Sequence, residues 1–238
     1  MSDVVFLHAG IADARMWAPQ LRSFATEHNV HAFDLPGFGS APLVPGTLSY
    51  VEWVATGTPP GAAVVGASFG GRIALDLALA RPELVSKLVL VAPGLDGWEW
   101  SDTARVGFAD EEEAIERGDL AFAAESQVRM WLADDAEPAV RALVREMTLR
   151  TYELQLPHED EVEVIWPEPP ARERLGELAI PTLLVVGDRD LPDMLEITSL
   201  LERSIPAART VVIEGAGHLP SLERPKAFDS AVLPFLRG

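Results

Sequence analysis

Six short apolar runs set the frame for this chain. Val4–His8, Val30–Phe33, Ala62–Gly66, Leu88–Ala92, Thr182–Val186 and Thr210–Ile213 each read as a strand that is apolar on both faces. Such strands need cover on both sides of their sheet, which suits a parallel sheet with helices packed on each face. Helical patterns lie between them. The pattern Ala74-Leu75-Leu77-Ala78-Leu79 closes at Arg81-Pro82, where proline cannot continue a helix. Another runs from about Asp193 to Arg203 and closes at Ile205-Pro206. Strand–helix alternation at this spacing predicts a doubly wound, mostly parallel α/β sheet.

The interval from Pro93 to Ile180 departs from this rhythm. It offers no convincing strand and carries helical stretches at Ala109–Glu116, Leu120–Leu132 and Glu137–Leu154. Residues 95–178 hold 22 acidic and 8 basic side chains, so they carry a net −14 of the chain's −18. That break predicts a helical insertion, with residues 1–94 and 179–238 forming the sheet domain and residues 95–178 a cap. Trp166-Pro167-Glu168-Pro169-Pro170 reads as the stiff segment that returns the chain to the sheet.

A chain of 238 residues, 48% of them hydrophobic, can bury a sizeable core. The acidic excess, with no basic cluster against it, excludes nucleic acid as a natural partner. The absence of cysteine removes disulfides, thiolate metal sites and a cysteine nucleophile. No apolar run approaches the length of a bilayer span, and the first residues show no signal-peptide pattern, so no membrane association and a cytoplasmic location are expected.

The sharpest chemical signal is Gly66-Ala67-Ser68-Phe69-Gly70-Gly71, which follows one predicted strand and opens a helix over Arg72–Ala80. In that setting G-x-S-x-G describes a turn so tight that small residues must surround the serine, whose hydroxyl is pushed out at the carboxyl edge of the sheet. The serine also sits at a helix N-terminus, where free N–H groups favour developing negative charge. Two further groups follow strands on the same edge, Gly187-Asp188-Arg189-Asp190 and Gly215-Ala216-Gly217-His218-Leu219-Pro220. A serine nucleophile needs a base and a carboxylate to orient that base, and these arrive in the order Ser, Asp, His.

With those residues in place, the chain resembles the α/β-hydrolase superfamily, in the group that carries a helical cap. The likeness spans nearly the whole sequence. It includes Leu7-His8-Ala9-Gly10, Asp34-Leu35-Pro36-Gly37-Phe38-Gly39-Ser40, the turn at Ser68, the stretch from Arg81-Pro82-Glu83 to Leu90, and both groups just described. The resemblance implies a catalytic triad of Ser68, Asp190 and His218, with Asp188 the second candidate for the acid. It implies an oxyanion hole from the backbone N–H groups of Gly10 and Phe69, and an ordering role for His8. Many relatives have His-Gly where this chain has His8-Ala9-Gly10, and many begin with a β-hairpin that is missing here, leaving a sheet of about six strands.

The activity implied is that of a carboxylesterase-like serine hydrolase acting on a small neutral carboxylic ester or lactone through an acyl-enzyme. Carbon–carbon bond hydrolases, enol-lactonases, perhydrolases and amidases share the triad and stay open, as does a small-molecule receptor built on the same fold. No cofactor and no metal are expected, because no dinucleotide, phosphate-loop or metal-ligand spacing occurs. His28 and His31 read as surface and packing residues, and His158 as solvated cap surface. The run Asp110-Glu111-Glu112-Glu113 reads as a solvated first turn of a helix. Trp98, Trp100, Trp131 and Trp166 either wall the cleft or fasten the cap to the sheet.

Overall fold

The computed structural model describes all residues, 1–238. In chain order the elements are β1 (Asp3–Leu7), α1 (Ala18–Phe24), β2 (Asn29–Ala32), β3 (Gly46–Leu48), α2 (Tyr50–Gly57), β4 (Ala62–Ala67), α3 (Phe69–Ala80) and β5 (Val85–Val91). Then come α4 (Asp102–Glu116), α5 (Leu120–Trp131), α6 (Pro138–Gln155), β6 (Val162–Val164), α7 (Ala171–Arg174), β7 (Thr182–Gly187), α8 (Pro192–Ser204), β8 (Ala208–Ile213), α9 (Pro220–Glu223) and α10 (Pro225–Arg237).

Six strands form one sheet in the order β2-β1-β4-β5-β7-β8, and every pairing is parallel. This is the six-stranded sheet anticipated from the sequence. Alternate residues of each central strand feed two separate cores, which explains runs that are apolar on both faces. Val5, Val64, Leu88, Leu90 and Leu184 face α2, α3 and α8. Val4, Phe6, Val65, Val89 and Leu183 face α1 and α10, where Trp17, Phe24 and Phe228 are fully buried. The strand order reverses between β1 and β4, whose carboxyl ends pair at Leu7 and Gly66. Open sheets of this kind bind ligands in the crevice at that reversal.

Between β5 and β7 the chain runs through α4, α5, α6 and α7. Two readings of this stretch are corrected. It does hold a strand: β6 pairs in parallel with β3, from Gly46 with Val162 to Leu48 with Val164, and so clasps the inserted stretch to the loop after β2. Three residues are too few to show a periodicity, and their pairing depends on a partner more than a hundred positions away. The acidic run Asp110–Glu113 is not a first turn either, because α4 begins at Asp102, where the Ser101 side chain accepts from the Ala104 N–H. Glu111 is half-buried and accepts hydrogen bonds from Tyr152 and Gln127. No helix is long and apolar enough to cross a membrane.

Candidate active site

Ser68 stands between β4 and α3 with φ 51° and ψ −111°, a left-handed conformation that L-residues avoid. The surrounding contacts hold it there. The Ser68 N–H donates to Val91 O, and Ser68 O accepts from Arg72 and Gly94. Neighbouring glycines are required by close approach: a Cβ on Gly66 would lie 2.3 Å from Gly70 O, and one on Gly70 would lie 2.5 Å from His8 O. The strand-to-helix turn read from G-x-S-x-G is therefore present, with the Ser68 side chain half-exposed at the carboxyl edge.

Asp190 and His218 meet beyond β7 and β8. His218 Nδ1 donates to Asp190 Oδ2 at 2.9 Å, while Asp190 Oδ1 accepts from Leu191 N at 2.8 Å. His218 Nε2 is buried with no hydrogen-bond partner in the protein. A carboxylate on Nδ1 fixes the tautomer that leaves the Nε2 lone pair free, as a general base requires. The Ser68 hydroxyl shares this strand-end edge but makes no hydrogen bond to Nε2. Asp188 points elsewhere: it is exposed, and its Oδ1 accepts from Gly215 N at 2.7 Å.

Gly10 and Phe69, the residues expected to supply the oxyanion donors, are neighbours. A Cβ built on Gly10 would sit 3.6 Å from the Phe69 Cβ, so the loop after β1 rests against the start of α3. Phe69 is the first residue of that helix, and its N–H has no acceptor within it. Ala9 is buried, keeps a negative φ that an L-residue adopts freely, and its N–H donates to Met16 Sδ at 3.3 Å. His8 uses both ring nitrogens on backbone, Nδ1 donating to Ala9 O and Nε2 accepting from Leu35 N. Burial holds its pKa below the usual value, so it is a neutral brace between two loops.

A cavity of about 420 Å³ opens beside these donors, lined by Gly10, Phe38, Tyr50, Phe69, Gln155, Val164 and Trp166. Its walls are mostly apolar, as small-molecule sites are. A larger depression of about 660 Å³, between Arg15, Asp34 and Arg150, has Leu149 as its one hydrophobic lining residue and includes neither Gly10 nor Phe69. The four tryptophans between β5 and β7 divide by role. Trp166 walls the cavity beneath the Arg72 guanidinium, 3.7 Å from its ring centre, and Trp131 lies against His218. Trp100 packs on Phe108, and the Trp98 indole donates to Asp193.

Sequence reasoning missed one site residue outright. Glu223 is buried beneath the His218 loop, where its carboxylate accepts from the backbone N–H groups of Ala133, Gly217 and Leu219. A glutamate flanked by leucine and arginine carries no motif, so nothing in the sequence set it apart. The other histidines have local partners: His28 with Ser2, His31 with Asp3 and His158 with Glu161.

Residues 4–231 match the model of the alpha/beta hydrolase family. A pimeloyl-[acyl-carrier protein] methyl ester esterase of Aeromonas hydrophila is 30% identical over 98% of this chain and 95% of that protein. A hydrolase of Pseudomonas aeruginosa superposes with a TM-score of 0.81 at 25% identity, covering 100% of this chain and 90% of that one. The enol-lactonase of Burkholderia xenovorans gives 0.79 at 21% identity, over 100% and 92%.

Proposed function

The chain belongs to the alpha/beta hydrolase family, and from that membership we propose that it is a serine hydrolase cleaving a small neutral carboxylic ester or lactone through an acyl-enzyme on Ser68. The observation that carries this reading is the buried Asp190–His218 pair, with Nε2 free, on the edge where the strained Ser68 turn presents its hydroxyl. His218 Nε2 takes the Ser68 proton as Oγ attacks the carbonyl carbon. The N–H groups of Gly10 and Phe69 hold the oxygen that becomes negative, usually the largest electrostatic contribution in acyl transfer. Collapse expels the alcohol, which receives the proton from His218. Water, deprotonated by the same nitrogen, then releases the acid and restores Ser68.

The apolar cavity beside Gly10 and Phe69 supports an uncharged, short to medium acyl group. The name of the Aeromonas relative, a methyl ester esterase, supports an ester over an amide or a carbon–carbon bond. The test is hydrolysis of a p-nitrophenyl ester series and a simple lactone by the wild type and by Ser68→Ala. Multiple turnovers that vanish in the variant are expected. Equal rates in both proteins would overturn the mechanism. A wild type without turnover that still takes up a fluorophosphonate on Ser68 would favour a receptor.

A further inference from the structure

We propose that the helices between β5 and β7 set the orientation of His218 through a largely buried hydrogen-bonded chain, Tyr152–Glu111–Gln127–Trp131, in which Trp131 is a positioning residue for the base. The proposal rests on the reading of His218 as that base. The chain draws on three helices. From α6, Tyr152 Oη donates to Glu111 Oε1 at 2.5 Å. Glu111 stands on α4, and its Oε2 accepts from Gln127 Nε2 of α5 at 2.8 Å. Gln127 Oε1 accepts from Trp131 Nε1, one turn further along α5, at 2.7 Å.

The indole lies against the imidazole of His218, ring centres 4.2 Å apart and planes inclined by 35°. Trp131 holds the same loop a second time, because its carbonyl accepts the His218 N–H at 2.8 Å. The fit is close, since a Cβ on Gly217 would come within 2.7 Å of that carbonyl oxygen. Asp190 grips the imidazole at Nδ1, and the Glu223 carboxylate holds the backbone on either side of it. Trp131 thus supplies the packing surface for the ring.

Each bond in the chain has a fixed direction, and that makes it more than packing. A carboxylate only accepts and an indole only donates, so the Gln127 amide has one orientation, nitrogen toward Glu111 and oxygen toward Trp131. Apolar side chains of similar volume could join three helices equally well, because buried polar networks are costly unless complete. What this network adds is a defined pose for the indole, and through it for the imidazole. A base displaced by a fraction of an ångström loses rate rather than affinity.

The experiment exchanges the carboxylate and the amide. Gln127→Glu opposes two carboxylates and breaks the chain, whereas Glu111→Gln still offers Gln127 Nε2 an amide oxygen and keeps the link to Trp131. The double variant Glu111→Gln/Gln127→Glu rebuilds it with the same charge and the same indole acceptor. The readouts are kcat and KM on p-nitrophenyl butyrate and the rate at which a fluorophosphonate labels Ser68, with folding followed by circular dichroism. Gln127→Glu is expected to lose roughly tenfold in kcat and in labelling rate with KM nearly unchanged, and the double variant to recover most of that loss. A folded Gln127→Glu variant with wild-type kcat would overturn the proposal, as would a folded double variant no faster than Gln127→Glu. Should the exchanges not fold, Tyr152→Phe removes only the terminal hydroxyl. A severalfold loss of kcat at constant KM is then expected, and a wild-type rate would overturn the proposal. A wild type that neither turns over esters nor labels would instead overturn the serine hydrolase reading.

Discussion

The Asp190 carboxylate lies 2.9 Å from His218 Nδ1 with both side chains closed to solvent, whereas Asp188, two residues earlier, is turned to Gly215. The two aspartates of one loop therefore separate by experiment. Asp190→Asn leaves the shape but offers His218 an amide, which permits the wrong tautomer. A fall in kcat on the order of 10³–10⁴ is expected in steady-state ester hydrolysis. Asp188→Asn should change kcat by no more than roughly threefold, since it alters one hydrogen bond of an exposed loop. The reverse ranking would move the acid to Asp188.

The line between what could and could not be read from the sequence follows the range of each interaction. Ser68 was legible because its constraint is local: a strand, a turn with room only for glycine, and a helix, all within about twenty residues. Asp190 and His218 were legible because each follows its own apolar strand, and a parallel sheet delivers every strand end to one edge. The β3–β6 pair and the Glu111 chain were not. Each joins residues distant in sequence, and neither member of a pair looks unusual alone. Glu111 in particular carries the pattern of a solvated acid until α5 and α6 fold over it.

Glu223 makes a stability prediction. Its carboxylate satisfies three buried backbone donors that belong to two segments, the end of α5 and the His218 loop. Glu223→Ala strands all three, at a cost on the order of 4 kcal/mol in urea unfolding. Glu223→Gln should recover only part of that, because its amide oxygen can still accept from Ala133 and Gly217 while its NH₂ faces the Leu219 N–H. Full stability in the glutamine variant would show that the donors find other acceptors.

Trp166 makes a prediction about acyl length. It walls the apolar cavity, stacks at 6.1 Å on Tyr50 and carries the Arg72 guanidinium on its face. Trp166→Ala removes contact with the far part of an acyl chain while sparing the carbonyl end. KM for a p-nitrophenyl hexanoate should rise about tenfold, equivalent to about 1.4 kcal/mol or roughly two buried methylenes, and KM for the acetate should change far less. Equal effects on both esters would place the acyl group elsewhere.

Asp76 makes a prediction about the pH dependence of stability. It is buried in α3, the helix that follows Ser68, and its nearest cation is Arg72, 4.0 Å away. Burial pushes its carboxyl up from 3.8 to about 6, with Arg72 opposing and Asp96 adding to the rise. Below pH 3.8 the group is protonated in both folded and unfolded chains and has no pH-linked effect. Between 3.8 and about 6 the unfolded chain releases a proton that the folded protein keeps, so stability falls as pH rises. Above that window the loss levels off at no more than about 3 kcal/mol. Asp76→Asn removes the proton and keeps the shape. Its stability gain over the wild type, from urea midpoints between pH 3 and 8, should be near zero at the acid end, grow through the window and stay flat above it. A gain independent of pH would mean that Asp76 is solvated in the folded protein.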